Sequence, residues 1–311
     1  MVVATGHGVL LVDKPAGISS QAAVSRVKRS GQFRKVGHAG TLDPAATGLL
    51  VTGIGAGTRL LRYFVGLDKD YTATVRLGIA TDTEDAHGQP TASPGCESVA
   101  DLTAAAAQLT GDLLQRPSAV SAIKIDGQRA YRRVRRGEEV ELPERPVTVQ
   151  RFDILAQREA RADDLPVIDV DIAVTVSSGT YVRALGRDLA EAVDTVGHLI
   201  ALRRTRVGPF HSSDSCSLDD VSSTTTLLTL GEAATAVLPS VVLPTGQDRA
   251  VALGQRIPTI GTGSGPYALL NEQGDLLAVA TVEQGRYRYA MVVPMDAIPA
   301  FARGSGRVEE S

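Results

Sequence analysis

Twelve residues near the N-terminus, Gly37-His38-Ala39-Gly40-Thr41-Leu42-Asp43-Pro44-Ala45-Ala46-Thr47-Gly48, constrain the chain more than any other stretch. Three glycines and a proline deny it a regular helix or strand. Glycine admits positive φ, and proline fixes its own φ and pushes Asp43, the residue before it, toward an extended backbone. The sequence therefore predicts a tightly folded loop of defined shape. Asp43 is the only carboxylate between Ser30 and Asp68. A single carboxylate on a rigid loop, flanked by Leu42 and Pro44, is a candidate nucleophile or base. The competing reading is an Asp-Pro turn whose side chain caps its own backbone. His38 carries the same ambiguity between a structural and a catalytic histidine.

The 311 residues suffice for two domains or one large one. Trp is absent and aromatic residues make up 4%, so the core must be aliphatic. The two cysteines, Cys96 and Cys216, lie far apart, which argues against a disulfide framework and a cysteine metal site. The apolar run Val9-Leu10-Leu11-Val12 is too short for a signal peptide or a membrane span, so a cytoplasmic protein without membrane association is expected. A net charge of −3 gives no hint of nucleic acid, and the distribution of charge matters more. Basic residues gather at 26–35, at 129–136 (Arg129, Arg132, Arg133, Arg135, Arg136) and at 203–206 (Arg203, Arg204, Arg206). They read either as phosphate contacts or, where glutamates follow, as a salt-bridged surface.

In chain order, residues 8–12 read as a buried strand, and Ser19 or Ser20 can cap a helix running to about Arg29. Residues 49–52 read as a strand. Gly53-Ile54-Gly55-Ala56-Gly57-Thr58 then opens a helix to about Val65. It mimics a dinucleotide-binding fingerprint, but Thr58 stands where the third glycine belongs. In residues 71–77, Tyr71, Ala73, Val75 and Leu77 share one face, so Tyr71 points with the core. The acidic segment Asp82-Thr83-Glu84-Asp85 matches no calcium-loop spacing and reads as a solvated turn. A helix is expected over 99–109 and strands over 119–125, 146–155 and 167–176. In the last, apolar positions alternate with Asp169, Asp171 and Thr175, which favours antiparallel pairing with one wet face. Ser178-Gly179-Thr180 reads as the cap of a helix from Tyr181 to about Val193. Arg183 in its first turn opposes the helix dipole and so points to an anionic partner. From about residue 241 the pattern changes to short strands and turns, including a hairpin around Asn271–Asp275, and the tail from Arg303 is expected to be disordered.

Four stretches, in this order, match one family: the 37–44 loop, Lys69-Asp70-Tyr71, Ser178-Gly179-Thr180-Tyr181-Val182-Arg183, and Leu202-Arg203-Arg204-Thr205. With Asp13-Lys14-Pro15 and the Thr81–Asp85 loop, they make residues from about 8 to 240 resemble the TruB family, the bacterial tRNA pseudouridine-55 synthases. The resemblance implies an α+β fold: a catalytic domain (1–240) with a mixed, largely antiparallel sheet and flanking helices, then a small PUA-like RNA-binding β domain (241–300). The tail is 301–311. It implies isomerisation of uridine 55 in the tRNA T loop to pseudouridine by a monomer, without metal or cofactor. It also implies roles: Asp43 as nucleophile, Tyr71 stacking on the uracil and helping to move the C5 proton, and Arg183 pairing with Asp43. Asp85 joins that network, His38 helps to hold the flipped-out arrangement, Leu202 lines the pocket, and Lys14 with Pro15 is mostly structural. Two other readings remain: a non-catalytic RNA-binding module, and a metal hydrolase using His38, Asp43, Asp82 and Asp85.

Overall fold

The structure, a computed structural model, describes residues 6–118, 124–125, 128–129, 142–260 and 263–302. The expected strand residues 119–123, most of the 129–136 basic cluster and the tail from Arg303 lie outside the described residues. The first strands and helices are β1 (Gly8–Lys14), α1 (Ser20–Ser30), β2 (Val36–Ala39), β3 (Thr47–Ile54), α2 (Leu61–Phe64), β4 (Lys69–Leu77), β5 (Ala80–Thr81), β6 (Pro90–Ala92), α3 (Leu102–Gln108), β7 (Gly111–Gln115), β8 (Lys124–Ile125) and β9 (Gln128–Arg129). There follow β10 (Arg145–Ala162), β11 (Leu165–Val176), α4 (Val182–Glu191), β12 (Gly197–Val207), β13 (Phe210–His211), β14 (Cys216–Ser217), α5 (Leu230–Thr235), β15 (Ser240–Val242), α6 (Gln247–Ala252), β16 (Tyr267–Leu270), β17 (Leu276–Glu283), β18 (Arg286–Val292) and α7 (Pro299–Ala302).

One mixed sheet dominates. Its order is β14-β1-β3-β12-β4-β11-β10-β7, with β2 alongside β3 and β13 alongside β12. Only β1–β14 and β3–β12 pair in parallel, so the sheet is largely antiparallel, as expected. The alternation read in β4 holds: Tyr71, Ala73, Val75 and Leu77 are buried, and so is Lys69 at the head of the strand. On the opposite face the polar residues of neighbouring strands meet in register. Asp169 sits opposite Arg76 and accepts two bonds from it at 2.8 and 2.9 Å, and Arg206 binds Asp70 through two contacts of 2.7 Å. This face is thus wired by cross-strand charge pairs, the sheet's counterpart of helical i,i+4 pairs.

Several local readings are refined. The glycine-rich stretch after β3 forms a single 3-10 turn, Gly55–Arg59, before the short α2. Its packing against the first strand is so close that a Cβ on Gly57 would stand 1.9 Å from the Gly8 carbonyl oxygen. Residues 177–180 make a turn, with Gly179 at φ +96° and Thr180 N–H donating to Ser177 O, rather than a cap. Helix α4 begins at Val182, and Gln115 holds Tyr181 from outside by accepting from its N–H (2.9 Å) and donating to its carbonyl (3.1 Å).

A second sheet, β15-β16-β17-β18, occupies the C-terminal region where short strands were expected. Its apolar face does not form a separate core. Val9, Leu11, Leu49 and Val51 of the large sheet, Leu230, Ala233 and Ala234 of α5, and Leu269, Leu277 and Val279 of the small sheet belong to one contiguous buried cluster. Burying a Val or Leu side chain contributes roughly 1.5–3 kcal/mol, so this shared cluster is a substantial part of the stability of both sheets. A protein ending at residue 240 should therefore expose the α5 and large-sheet face, and expression should yield aggregated or non-cooperatively unfolding material. A soluble fragment with the thermal midpoint of the full chain would show that the two regions fold independently.

Candidate active site

The 37–48 stretch, expected to hold no regular strand, is strand at both ends, with residues 37–39 in β2 and 47–48 in β3, and only 40–46 form the loop proper. Gly48 is held at φ +99°, and a Cβ there would meet the Arg204 carbonyl oxygen at 2.2 Å. Only glycine allows β3 and β12 to approach this closely in the parallel pair Arg204–Gly48. The loop is held by buried cations. Lys14 is fully buried and donates to the carbonyls of Pro15 (2.8 Å), Ile18 (2.8 Å) and Pro44 (3.3 Å). Arg204, also fully buried, donates to the carbonyls of Leu49 (2.8 Å) and Gly40 (3.1 Å), one at each end of the loop.

Asp43 projects from this loop toward the first turn of α4. Its Oδ2 lies 3.0 Å from Arg183 Nε. The arginine side chain is 6% exposed and the aspartate 40%, so the guanidinium is sheltered while the carboxylate remains open to the cavity. The same guanidinium reaches the acidic loop, donating to Thr83 O at 2.7 Å and standing 3.7 Å from Asp85 Oδ2. It also donates to Ser118 Oγ at 3.1 Å. The anionic partner implied by an arginine at a helix N-terminus is therefore Asp43, with Asp85 behind it. Asp85 is further fixed by Thr83 Oγ1 at 2.7 Å and by His87 N–H at 3.0 Å.

A cavity of about 530 Å³ opens beside Asp43, a volume in the range of small-molecule sites. Its floor is the centre of the large sheet: Lys69 and Tyr71 from β4, Val176 from β11, Leu202 and Arg204 from β12. Each pair on one strand is two residues apart and so shares a face. The walls are the 40–44 loop, the 177–181 turn, Val65 and Arg145. Of the residues singled out in the sequence, Asp43, Tyr71, Arg183 and Leu202 line this one cavity, Asp85 lies behind Arg183, and Lys14 lies beneath the loop. His38 does not line it. It sits on β2 opposite Thr52, half-buried, its Nδ1 without a hydrogen-bond partner, and burial pushes its pKa down against the pull of a backbone hydrogen bond at Gly40. Among the described residues no three His, Cys, Asp or Glu side chains converge as metal ligands, and no helix is long and apolar enough to cross a membrane.

Two cations of the cavity lining, Lys69 and Arg145, had no assigned part in the sequence reading. Lys69 is buried and donates to the carbonyls of Val65 (3.1 Å) and Leu67 (2.6 Å), and burial, reinforced by Arg204, lowers its pKa to about 8. Lys14 is likewise lowered to about 8, by burial first, with Asp43 opposing. Arg145 lies at the rim with no ion pair among the described residues. By contrast, the expected basic surface at 203–206 is engaged internally: Arg203 grips Asp13 through contacts of 3.0 and 2.7 Å, Arg204 is buried, and Arg206 grips Asp70.

Two protein-family models cover most of this architecture: the TruB family pseudouridylate synthase N-terminal domain matches residues 28–182, and the tRNA pseudouridylate synthase B C-terminal domain matches 183–251. A curated relative from Arthrobacter sp. (strain FB24), "tRNA pseudouridine synthase B", is 46% identical over 92% of this chain and 96% of its own length. The chain belongs to the TruB family of pseudouridine synthases. A second relative of the same description, from Corynebacterium aurimucosum, is 48% identical over 92% of this chain and 95% of its own. Among solved structures, an H/ACA RNP bound to a substrate RNA containing 2′-deoxyuridine matches with a TM-score of 0.69 at 21% identity, covering 94% of this chain and 87% of that one. A Cbf5-Nop10-Gar1 complex matches with the same TM-score at 23% identity. These two show the fold. As members of this family are isomerases, the dinucleotide-binding reading of residues 53–58 and the hydrolase reading both fall away.

The lysine floor has a measurable consequence. Lys69 releases its proton near pH 8 in the folded protein and near 10.5 when unfolded, so between these values the unfolded chain binds more protons and this group's contribution to stability rises with pH. Lys69→Met removes that titration. The unfolding free energy of wild type minus that of the variant, from urea melts, should increase between pH 8 and pH 10; a pH-independent difference would mean an ordinary lysine.

Proposed function

We propose that this chain isomerises uridine 55 in the T loop of tRNA to pseudouridine, with Asp43 as the nucleophile. The observation that carries the reading is the Asp43–Arg183 pair at the edge of a nucleoside-sized cavity floored by Tyr71 and Leu202. The reaction is atom-neutral. The N1–C1′ glycosidic bond breaks, a C5–C1′ bond forms, the C5 proton leaves and N1 regains one. Nothing is oxidised or reduced, so a carboxylate, a base-binding floor and a proton path suffice. The target base must leave its stack to reach Asp43, and single-stranded loop bases are usually read by stacking and edge contacts once splayed out. Tyr71 offers the stacking face and Leu202 the apolar floor. Arg183 orients the carboxylate through Nε while its other end is anchored on Thr83 and Ser118, so the pair is pre-formed before substrate arrives. Asp85 holds Arg183 from behind. Lys14 shapes the loop from below, and His38, outside the cavity, supports the loop's first strand. The reading takes the enzyme to be a cytoplasmic monomer and the small sheet to be a PUA-like accessory that contacts tRNA beyond the T arm.

Incubation with unmodified tRNA in the presence of a chelator should yield pseudouridine at position 55. Asp43→Asn should abolish turnover while tRNA affinity stays close to wild type, because binding rests on a wider surface; near-normal turnover of this variant would sink the assignment. A second variant tests the pair. Lysine lacks the planar fork that allows Arg183 to serve Asp43 and Thr83 at once, so Arg183→Lys should slow the single-turnover rate roughly tenfold or more with a smaller effect on tRNA affinity. An unchanged single-turnover rate would show that the pairing does not matter for the chemistry.

A further inference from the structure

Asp43 has to be held in three dimensions, and the residue on its N-terminal side is Leu42. The Leu42 side chain is 3% exposed and packs in the cluster formed with β4, β11 and α4. A buried side chain fixes where Leu42 sits but leaves its peptide free to rotate, and that rotation would swing the following carboxylate. The structure supplies a lock at this point. Ser19 is the N-cap of α1, its Oγ accepting the Ala22 N–H at 3.1 Å, so the hydroxyl of Ser20 is not needed by the helix. Ser20 is 2% exposed, and its Oγ accepts the Leu42 N–H at 2.8 Å and donates to the Leu42 carbonyl at 3.0 Å. One hydroxyl thus satisfies both backbone groups of the residue preceding Asp43, across 22 positions of sequence. On the other side Pro44 has no N–H, and its carbonyl is held by Gly17 N–H at 2.8 Å and by Lys14 at 3.3 Å. The segment 14–20 therefore clamps both neighbours of Asp43 and leaves the carboxylate between them.

We infer that Ser20 is a positioning residue for the Asp43 carboxylate, setting its approach to Arg183 and to the cavity through the Leu42 peptide. The inference rests on the reading of Asp43 as the reacting group. Replacing the hydroxyl leaves two buried backbone groups without their partner, and the loop must rotate or admit water to satisfy them. A displacement on the order of 1 Å of a reacting group can lower a rate by about a hundredfold without any loss of binding contacts.

The test compares wild type, Ser20→Ala, Ser20→Cys and Asp43→Asn in single-turnover assays and tRNA-binding titrations, below the thermal midpoint of every variant. Ser20→Ala should slow the chemical step by roughly 10- to 100-fold with tRNA affinity unchanged, and Ser20→Cys, whose thiol is a weak donor and acceptor, should fall between. A merely structural serine would lower the thermal midpoint and leave the single-turnover rate of the folded protein alone. A rate for Ser20→Ala within about twofold of wild type overturns the inference. If Ser20→Ala does not fold, a wild-type rate from Ser20→Cys overturns it equally. An inactive Asp43→Asn beside a fully active Ser20→Ala refutes the role of Ser20 alone, whereas an active Asp43→Asn refutes the reading on which it rests.

Discussion

The buried guanidinium of Arg183 is the interaction on which the site depends. A charge taken out of water must be compensated at close range, and removing one partner of a buried pair typically costs about 3–5 kcal/mol. Here the compensation comes from three separate segments: Asp43 on the glycine-rich loop, Thr83 and Asp85 on the acidic turn, and Ser118 after β7. None of these partners lies within a helix or a long strand, although Asp85 is also bridged to Leu199 of β12. The helix that carries Arg183 is in turn set by the sheet, because it packs along β12 and Val182, Leu185 and Leu189 share one buried cluster with Leu199, Val75 and Ile172. Order thus passes from an aliphatic sheet face to a helix, from the helix to one guanidinium, and from the guanidinium to a carboxylate left 40% exposed.

The cavity floor follows a different rule. Lys69 and Arg204 in the floor, and Lys14 beneath the neighbouring loop, are buried, and their main contacts are backbone carbonyls rather than carboxylates. Carbonyls satisfy the donors but do not cancel the charge. The field at the floor is therefore positive, which is unfavourable for the folded protein alone and favourable for an anionic ligand. Both lysines are lowered to about 8, by burial first, with Arg204 adding to the shift and a nearby carboxylate opposing it in each case. Such a floor suits a polyanion that must bring one nucleotide deep into the fold, and it concentrates charge where the sheet cannot relax, at the β3–β12 crossing where only Gly48 fits.

Much of this could be read in the sequence, and the boundary is physical. The rigid loop around Asp43, the core-facing Tyr71, the antiparallel pairing of β11 and the anomalous Arg183 were legible because each is a local property: glycine and proline content, a period of two, a charge set against a helix dipole. The face of β11 expected to be wet is instead largely covered, with Asp169 and Thr175 both buried. The floor was not legible. Lys69 lies on the core face of β4 by the same alternation that placed Tyr71, yet a lysine there is tolerable only because Val65 and Leu67 turn their carbonyls toward it. The basic run at 203–206 illustrates the converse. Sequence gives adjacency of charge, while Asp13 and Asp70, which engage Arg203 and Arg206, come from other strands. Ser20 was visible only as one of two possible helix caps, and which of them was free to act elsewhere required the coordinates. The expected helical cap at 178–180 became a turn because Gln115, distant in sequence, holds Tyr181.

The small sheet poses the same question at larger scale. Its change of pattern after about residue 241 suggested a separable unit, and a composition shift does mark where topology changes. It does not mark where the core ends. Alternation in β16 and β17 identifies which side chains turn inward, but not what they meet, and here they meet α5 and the outer face of β1 and β3. A linker would let an accessory sheet search for its own contacts on a nucleic acid. A continuous apolar cluster instead fixes the sheet relative to the cavity, since close-packed interiors transmit position rather than absorb it. The small sheet is thereby held at a set distance from Asp43 by the same aliphatic cluster that supports β1 and β3.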